Sequence, residues 1–328
     1  MAEVERKMVE FSVSLALPWL LAVPDQSYDC RFHTNHFHVS TRQIVEKREG
    51  ESGFGIMVNT GAITNPSSAQ IPGRMSAYSE INITFGLEVA EVPVPHEEIK
   101  RVIDLAFHLL NYFLDVYRFI TKDAGVRPLS RPEYHEVRAG RGLLVKSLFR
   151  EGGKGILSSG VAFGEDTPAT LGESRLLPAE QQEEMKERLA AGQMPLLSPL
   201  LLLNAEMHLR SGQTRFAVLE MSSALDIRAE LVAEMILLHD GNAKEVVTAR
   251  LEPMNTRRIL QEIVWPTLEP GQAPPPEWPE WRDKHRLLRH RVVHDAFEPG
   301  REEASECMAC TRALCDRLAT LRILDDEK

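Results

Sequence analysis

The run Leu287-Leu288-Arg289-His290-Arg291-Val292-Val293-His294 sets guanidinium and imidazole groups within two helical turns of each other. An imidazole titrates near neutrality and can carry a proton in either direction. A guanidinium offers a fixed fork of donors that fits two phosphate oxygens. Together they suit the cleavage of RNA, which brings its own nucleophile in the 2′-hydroxyl. Such cleavage requires a general acid or base and a stabiliser for charge on the phosphorane, and no metal. On a uniform helix, at about 100° per residue, Arg282, Arg286, Arg289, His290 and His294 share an arc of about 140°, with Leu288 and Val292 opposite. Residues 282–294 carry Arg282, Lys284, Arg286, Arg289 and Arg291 against the single acid Asp283, in a chain whose net charge is −10. That local reversal marks a phosphate site. The same pattern also describes a solvated basic face with histidines near a helix end, where the dipole favours cations.

Other constellations compete for a metal. In Cys30-x2-His33-x2-His36-x-His38, strand alternation would put His36 and His38 on one face, within reach of a common ion. A strand and turn that happen to be rich in His is the simpler reading. Cys307, Cys310 and Cys315 fall in one apolar arc with Met308, Leu314 and Leu318, which favours buried core thiols over zinc ligands. His290-x3-His294 has Arg291 where a helical zinc hydrolase needs Glu. Gly152-Gly153-Lys154-Gly155 lacks the following Ser or Thr, and the helix start, of a phosphate loop. No metal or cofactor is therefore assigned.

The elements that would hold these residues divide the chain in two. Its 328 residues, 43% hydrophobic and 26% charged, are enough for about two globular domains. The acidic balance argues against indiscriminate coating of nucleic acid, so any RNA contact must be local. Four cysteines, three of them crowded near the C-terminus, do not form a secreted disulfide framework, and a reducing cytoplasm is expected. No apolar run approaches membrane-spanning length. Alternating residues predict strands over 9–17, 31–40, 53–58 and 80–92, followed by a helix over 99–120 with Glu97 and Glu98 in its first turn. This gives an α+β domain over residues 1–165 and a Gly- and Thr-containing linker over 166–177. From 178 to 328 the pattern is helical only: a short helix to 191, then 198–211, 214–238, 243–268, 281–294 and 301–321. The helix over 214–238 is apolar on two faces, Phe216, Leu219, Ile227, Leu231 and Met235 on one and Val218, Leu225, Val232 and Ile236 on the other, and so should be central in a bundle. The run 270–276 is a rigid Pro-rich connector.

Residues 201–238, with Asn204-Ala205-Glu206, Gly212, Arg215-Phe216-Ala217-Val218-Leu219-Glu220 and Ala224-Leu225-Asp226, together with the run 287–294 and Glu303-Ala304, resemble the Apea-like branch of the HEPN superfamily. The resemblance covers roughly residues 178–325. Arg289, His290 and His294 match its signature of an Arg, a polar residue and a later His. It implies a helical bundle that dimerises, with Arg289 and His294 as catalytic residues, His290 in support, and Arg282, Arg286 and Arg291 contacting substrate. Glu220 falls where members often carry a Glu that could orient the Arg, whereas Asp226 stands where many have Glu. The resemblance further implies a metal-independent endoribonuclease acting on RNA such as tRNA or mRNA, of the kind found among toxins and phage-defence effectors, with an antitoxin or regulator as a further partner. The alternative is a non-catalytic HEPN module that binds RNA or a protein. Residues 110–118 and 127–129 resemble regions that accompany such domains in bacteria, and suggest a sensor or substrate-positioning role with no chemistry attached.

Overall fold

The computed structural model describes residues 7–17, 21–47, 75–89, 96–129, 145–151, 154–161, 176–267 and 273–321. The chain forms two compact units, one of residues 1–121 with 126–194, the other of 122–125 with 195–328.

In the first unit, β1 (Lys7–Ala16), β2 (Gln26–Phe32), β3 (Asn35–Lys47), β4 (Met75–Val89), β5 (Val145–Glu151) and β6 (Lys154–Val161) make an antiparallel sheet in the order β2-β3-β4-β1-β5-β6. The register opposes Phe85 to both Phe11 and Phe37. Alternation sends Phe11, Val13, Leu15, Tyr28, Phe37, Val39, Ile81 and Ile83 to one buried face. That face is covered by α1 (His96–Thr121), whose Val102, Ala106, Leu109, Leu110, Phe113 and Tyr117 complete the core. Ser12, Asn82 and Thr84 join side chain to side chain on the other face.

Two expectations for this unit change. The strand expected over 31–40 is a hairpin, because His33 adopts a left-handed φ of 52° and turns the chain between β2 and β3. No Gly or Pro marks that turn. The helix α2 (Ala179–Ala191) was expected to open the helical domain at 178, yet it packs on β2 and α1. Met185 and Leu189 enter the sheet's core, the Tyr112 hydroxyl donates to the Arg188 carbonyl at 3.2 Å, and the Arg188 guanidinium lies 4.8 Å from the Phe119 ring centre. Gly192 ends α2 at φ 67°, where an added Cβ would sit 3.0 Å from the Arg31 carbonyl oxygen. The second unit thus starts at Pro195. The strand expected over 53–58 lies outside the described residues, as do 166–175 of the expected linker and 270–272 of the Pro-rich run.

The second unit is helical: α3 (Leu197–Arg210), α4 (Thr214–His239), α5 (Lys244–Leu251), α6 (Thr256–Ile259, continued as a π-turn over Leu260–Val264 and ending at Trp265–Thr267), α7 (Glu277–Glu280, a π-turn over Trp281–His285, then Arg286–His294) and α8 (Arg301–Thr320). As expected, α4 is central, touching α3, α5, α6, α7 and α8. Its Val218, Leu225, Val232 and Ile236 are buried, whereas on the second apolar face Phe216 and Met235 remain 57% and 47% exposed. The single helix expected over 243–268 breaks at Pro253, which cannot donate to the ladder, and restarts when the Asn255 side chain accepts from the Arg258 N–H at 3.1 Å. Pro266 likewise lacks a donor and stands two positions past the π-turn of α6. Together these elements make an α+β unit followed by a mainly helical one. Among the described residues no helix is long and apolar enough to cross a membrane.

Candidate active site

The segment Arg286–His294 is anchored by its apolar side. Leu288 and Val292 are buried against α4, in a cluster with Leu225, Val232 and Leu314. Burying two such side chains outweighs the solvation any single surface arginine could gain by rolling the helix, at about 1.5–3 kcal/mol each. The opposite arc is thereby turned outward. Arg286, Arg289, His290, Val293 and His294 line a cleft of about 300 Å³ together with Trp281 and, from the start of α6, Asn255, Thr256 and Arg257.

Arg289 is held by a partner on the central helix. Its Nη2 donates to Asp226 Oδ2 at 2.8 Å, both side chains being part-exposed, and the other Asp226 oxygen accepts from the Thr256 hydroxyl. Three elements therefore converge on one carboxylate: α4 supplies Asp226, α6 supplies Thr256, and α7 supplies Arg289. His290 and His294, one turn apart, have ring centres 4.4 Å apart at an interplanar angle of 42°. Among the described residues no acid lines the cleft, whereas Arg257, Arg286 and Arg289 bring cations to it from two helices. Their field reaches nearby groups. The exposed Asp283 carboxyl is held below its ordinary value first by hydrogen bonds from Arg282, with the charges of Arg286 and Arg257 adding to that pull.

The cleft gathers four of the seven expected site residues: Arg289, His294, His290 and Arg286. The other three lie elsewhere. Arg282 does not line it, because the π-turn inserts an extra residue and sets Trp281, not Arg282, one turn before Arg286. Arg282 forms a two-point pair with its neighbour Asp283 instead. Arg291 points away, its guanidinium 3.5 Å from the Phe297 ring centre and its Nη1 3.6 Å from Glu303 Oε1, bracing the turn into α8. Glu220 does not line the cleft either, and the carboxylate that orients Arg289 is Asp226. The two stand six positions apart on α4, so they are turned about 120° apart.

Asn255, Thr256 and Arg257 escaped the sequence reading because they lie in what read as the middle of a helix. Pro253 was the available signal of a break there. Val293 could have been placed by the same helical wheel, since it sits in the middle of the basic arc.

The metal candidates separate in the same way. Cys30 faces the core, while His36 and His38 face solvent and His38 Nδ1 lies 2.6 Å from Asp29 Oδ1, so strand alternation holds thiol and imidazoles on opposite faces. Cys307, Cys310 and Cys315 are free, buried thiols. No family model, curated protein or solved structure matches the chain.

Proposed function

We propose that the helical unit is a HEPN-type, metal-independent endoribonuclease. The observation that carries this is the convergence of Arg289, His290 and His294 on one cationic cleft, with Arg289 fixed by a carboxylate from the central helix. A cleft rich in guanidinium and free of lining acids attracts a phosphodiester and offers donors for its non-bridging oxygens. In the reaction, the 2′-oxygen bonds to phosphorus and the bond from phosphorus to the 5′-oxygen breaks. The proton leaving the 2′-hydroxyl goes to a base, and the departing 5′-oxygen takes one up. The products are a 2′,3′-cyclic phosphate and a 5′-hydroxyl. His294 is assigned the proton transfer, and Arg289 with Arg286 the charge on the phosphorane. His290 supports that geometry and Arg257 steers substrate.

A homodimer fits this reading. One protomer supplies few groups to hold the phosphate and move protons at both ends, and a two-fold interface doubles them. Apolar side chains suited to such an interface stay open on the helical unit, Leu287 (46%) and Val293 (51%) on α7 and Phe216 and Met235 on α4. The partners follow: an RNA such as tRNA or mRNA, a second copy of the chain, and a regulator of the antitoxin kind, as befits a toxin or phage-defence effector.

One observation favours a second reading, a non-catalytic module that binds RNA or protein. Two donors of the fork of Arg289 are the natural phosphate grip, and one is already committed to Asp226. Incubation of the purified chain with total tRNA and with mRNA separates the two. The enzyme cuts, and Arg289→Ala slows cutting by roughly 10²–10³. The binding module shifts RNA in a gel without cutting it.

A further inference from the structure

A second constellation in the helical unit, outside the cleft lining, lies where the π-turn of α7 meets α8. His285 is 1% exposed, yet neither of its ring nitrogens makes a hydrogen bond, and its Nε2 lies 3.5 Å from Glu280 Oε1. Cys310 on α8 is also buried, and its Sγ donates to the Glu277 carbonyl at 3.4 Å. One donor atom from each of Glu280, His285 and Cys310 lies within 4.8 Å of the other two. A tetrahedral ion with bonds of about 2.0–2.3 Å sets its donors roughly 3.3–3.8 Å apart. Donor shifts of up to about 1.5 Å would close the set.

The π-turn itself brings the first two donors together. On an α-helix residues five apart diverge by about 140°, whereas a π-turn closes residue i onto i+5. Widening over Trp281–His285 therefore stacks Glu280 near His285, toward α8. The charge around the site is mixed. Lys284 Nζ lies 3.8 Å from Glu280 Oε1 but is drawn to Glu306, and Glu277 flanks Cys310. Burial, with the charges of Glu280 and Glu277 adding, pushes the free thiol up to about 12, so that a bound cation would have to displace its proton to solvent.

We propose that Glu280, His285 and Cys310 form a structural site for a zinc-class divalent ion. Thiolate, imidazole and carboxylate together select zinc or cobalt over magnesium or calcium, and the fourth position is open to Glu277 or water. The ion ties α7 to α8 immediately before Arg286, while Leu288 and Val292 fix the roll of the segment that carries the cleft residues. None of its ligands lines the cleft, and the site stands or falls independently of RNA cleavage. It also differs from a three-cysteine site, since Cys307 and Cys315 stay in the core.

The test uses the full chain without an affinity tag, titrated with Co2+ and then competed with Zn2+. One Co2+ per chain is expected, with a thiolate-to-cobalt charge-transfer band in the near ultraviolet and the strong visible bands of four-coordination, both removed by Zn2+. Cys310→Ala should abolish the charge-transfer band, and Glu280→Gln, an exposed position, should weaken Co2+ binding tenfold or more. Cys307→Ala and Cys30→Ala should leave the spectrum intact. A spectrum without the thiolate band, a band that survives Cys310→Ala, or an affinity indifferent to Glu280→Gln overturns the proposal.

Discussion

Replacing Arg289 by Ala separates catalysis from stability, because the two effects are of different size. At 2.8 Å the Coulomb attraction between Arg289 and Asp226 is about 1.5 kcal/mol in a water-like dielectric. The side chains are 41% and 28% exposed, so the entropy of holding them together and screening by salt should leave about 0.2–1 kcal/mol. Losing that lowers the melting temperature by a few degrees at most. A donor aimed at charge that develops in the transition state matters more, about 2.7–4 kcal/mol, or 10²–10³ in rate. Arg289→Ala should therefore lose roughly 10²–10³ of the single-turnover cleavage rate while circular dichroism and the melting curve stay close to those of the parent. Arg289→Lys keeps charge without the fork and should fall between. A rate within about threefold of the parent, or a loss that tracks unfolding at the assay temperature, refutes the reasoning.

Asp226→Asn should reduce kcat by up to about 10²-fold through a misplaced Arg289, with KM changed less, and Asp226→Glu should recover part of the loss; equal loss in both variants would mean that Asp226 does not position the arginine. His294→Ala should cost about 10²–10⁴ in rate and His290→Ala less, measured side by side on one RNA; the reverse order would reassign proton transfer to His290. The third variant concerns acid stability. Burial alone would raise the Glu206 carboxyl, but hydrogen bonds and charge from Arg312, then Arg210, outweigh it and leave the group below its ordinary 4.5. A depressed carboxylate contributes stability above its unfolded value, and this is lost as pH falls through the folded one. Glu206→Gln, which loosens α3 from α8, should then be less stable than the parent at pH 6 by up to about 1 kcal/mol and indistinguishable from it at the acid end of urea melts; a gap that persists in acid would show a packing effect instead.

The basic run was legible because helix period and residue type agree from Arg286 on. Leu288 and Val292 had to face the core, and Arg286, Arg289, His290 and His294 had to face away. That logic failed at Arg282 because a uniform wheel cannot anticipate a π-turn, which here begins at Trp281, stacked on Trp278 at 5.7 Å. Asp226 was visible in the sequence, but only the docking of α7 on α4 decides that it, rather than Glu220, meets the arginine. The units were harder to delimit. Periodicity shows that residues 179–191 are helical, and says nothing about which core Met185 and Leu189 fill. The β2–β3 turn was hidden because a histidine, not a glycine, takes the left-handed position.

In the proposed reaction the cleft around Arg289 and His294 cuts RNA through the RNA's own 2′-hydroxyl. The most direct measurement follows single-turnover cleavage of an RNA mapped to one cut site, beside the same strand carrying a single 2′-deoxyribose at that site, and analyses the product ends. The first strand should give a 2′,3′-cyclic phosphate and a 5′-hydroxyl with no added divalent metal, and the second should not be cut. Cleavage of the deoxy-substituted strand at the mapped site, or products ending in a 5′-phosphate, would contradict it.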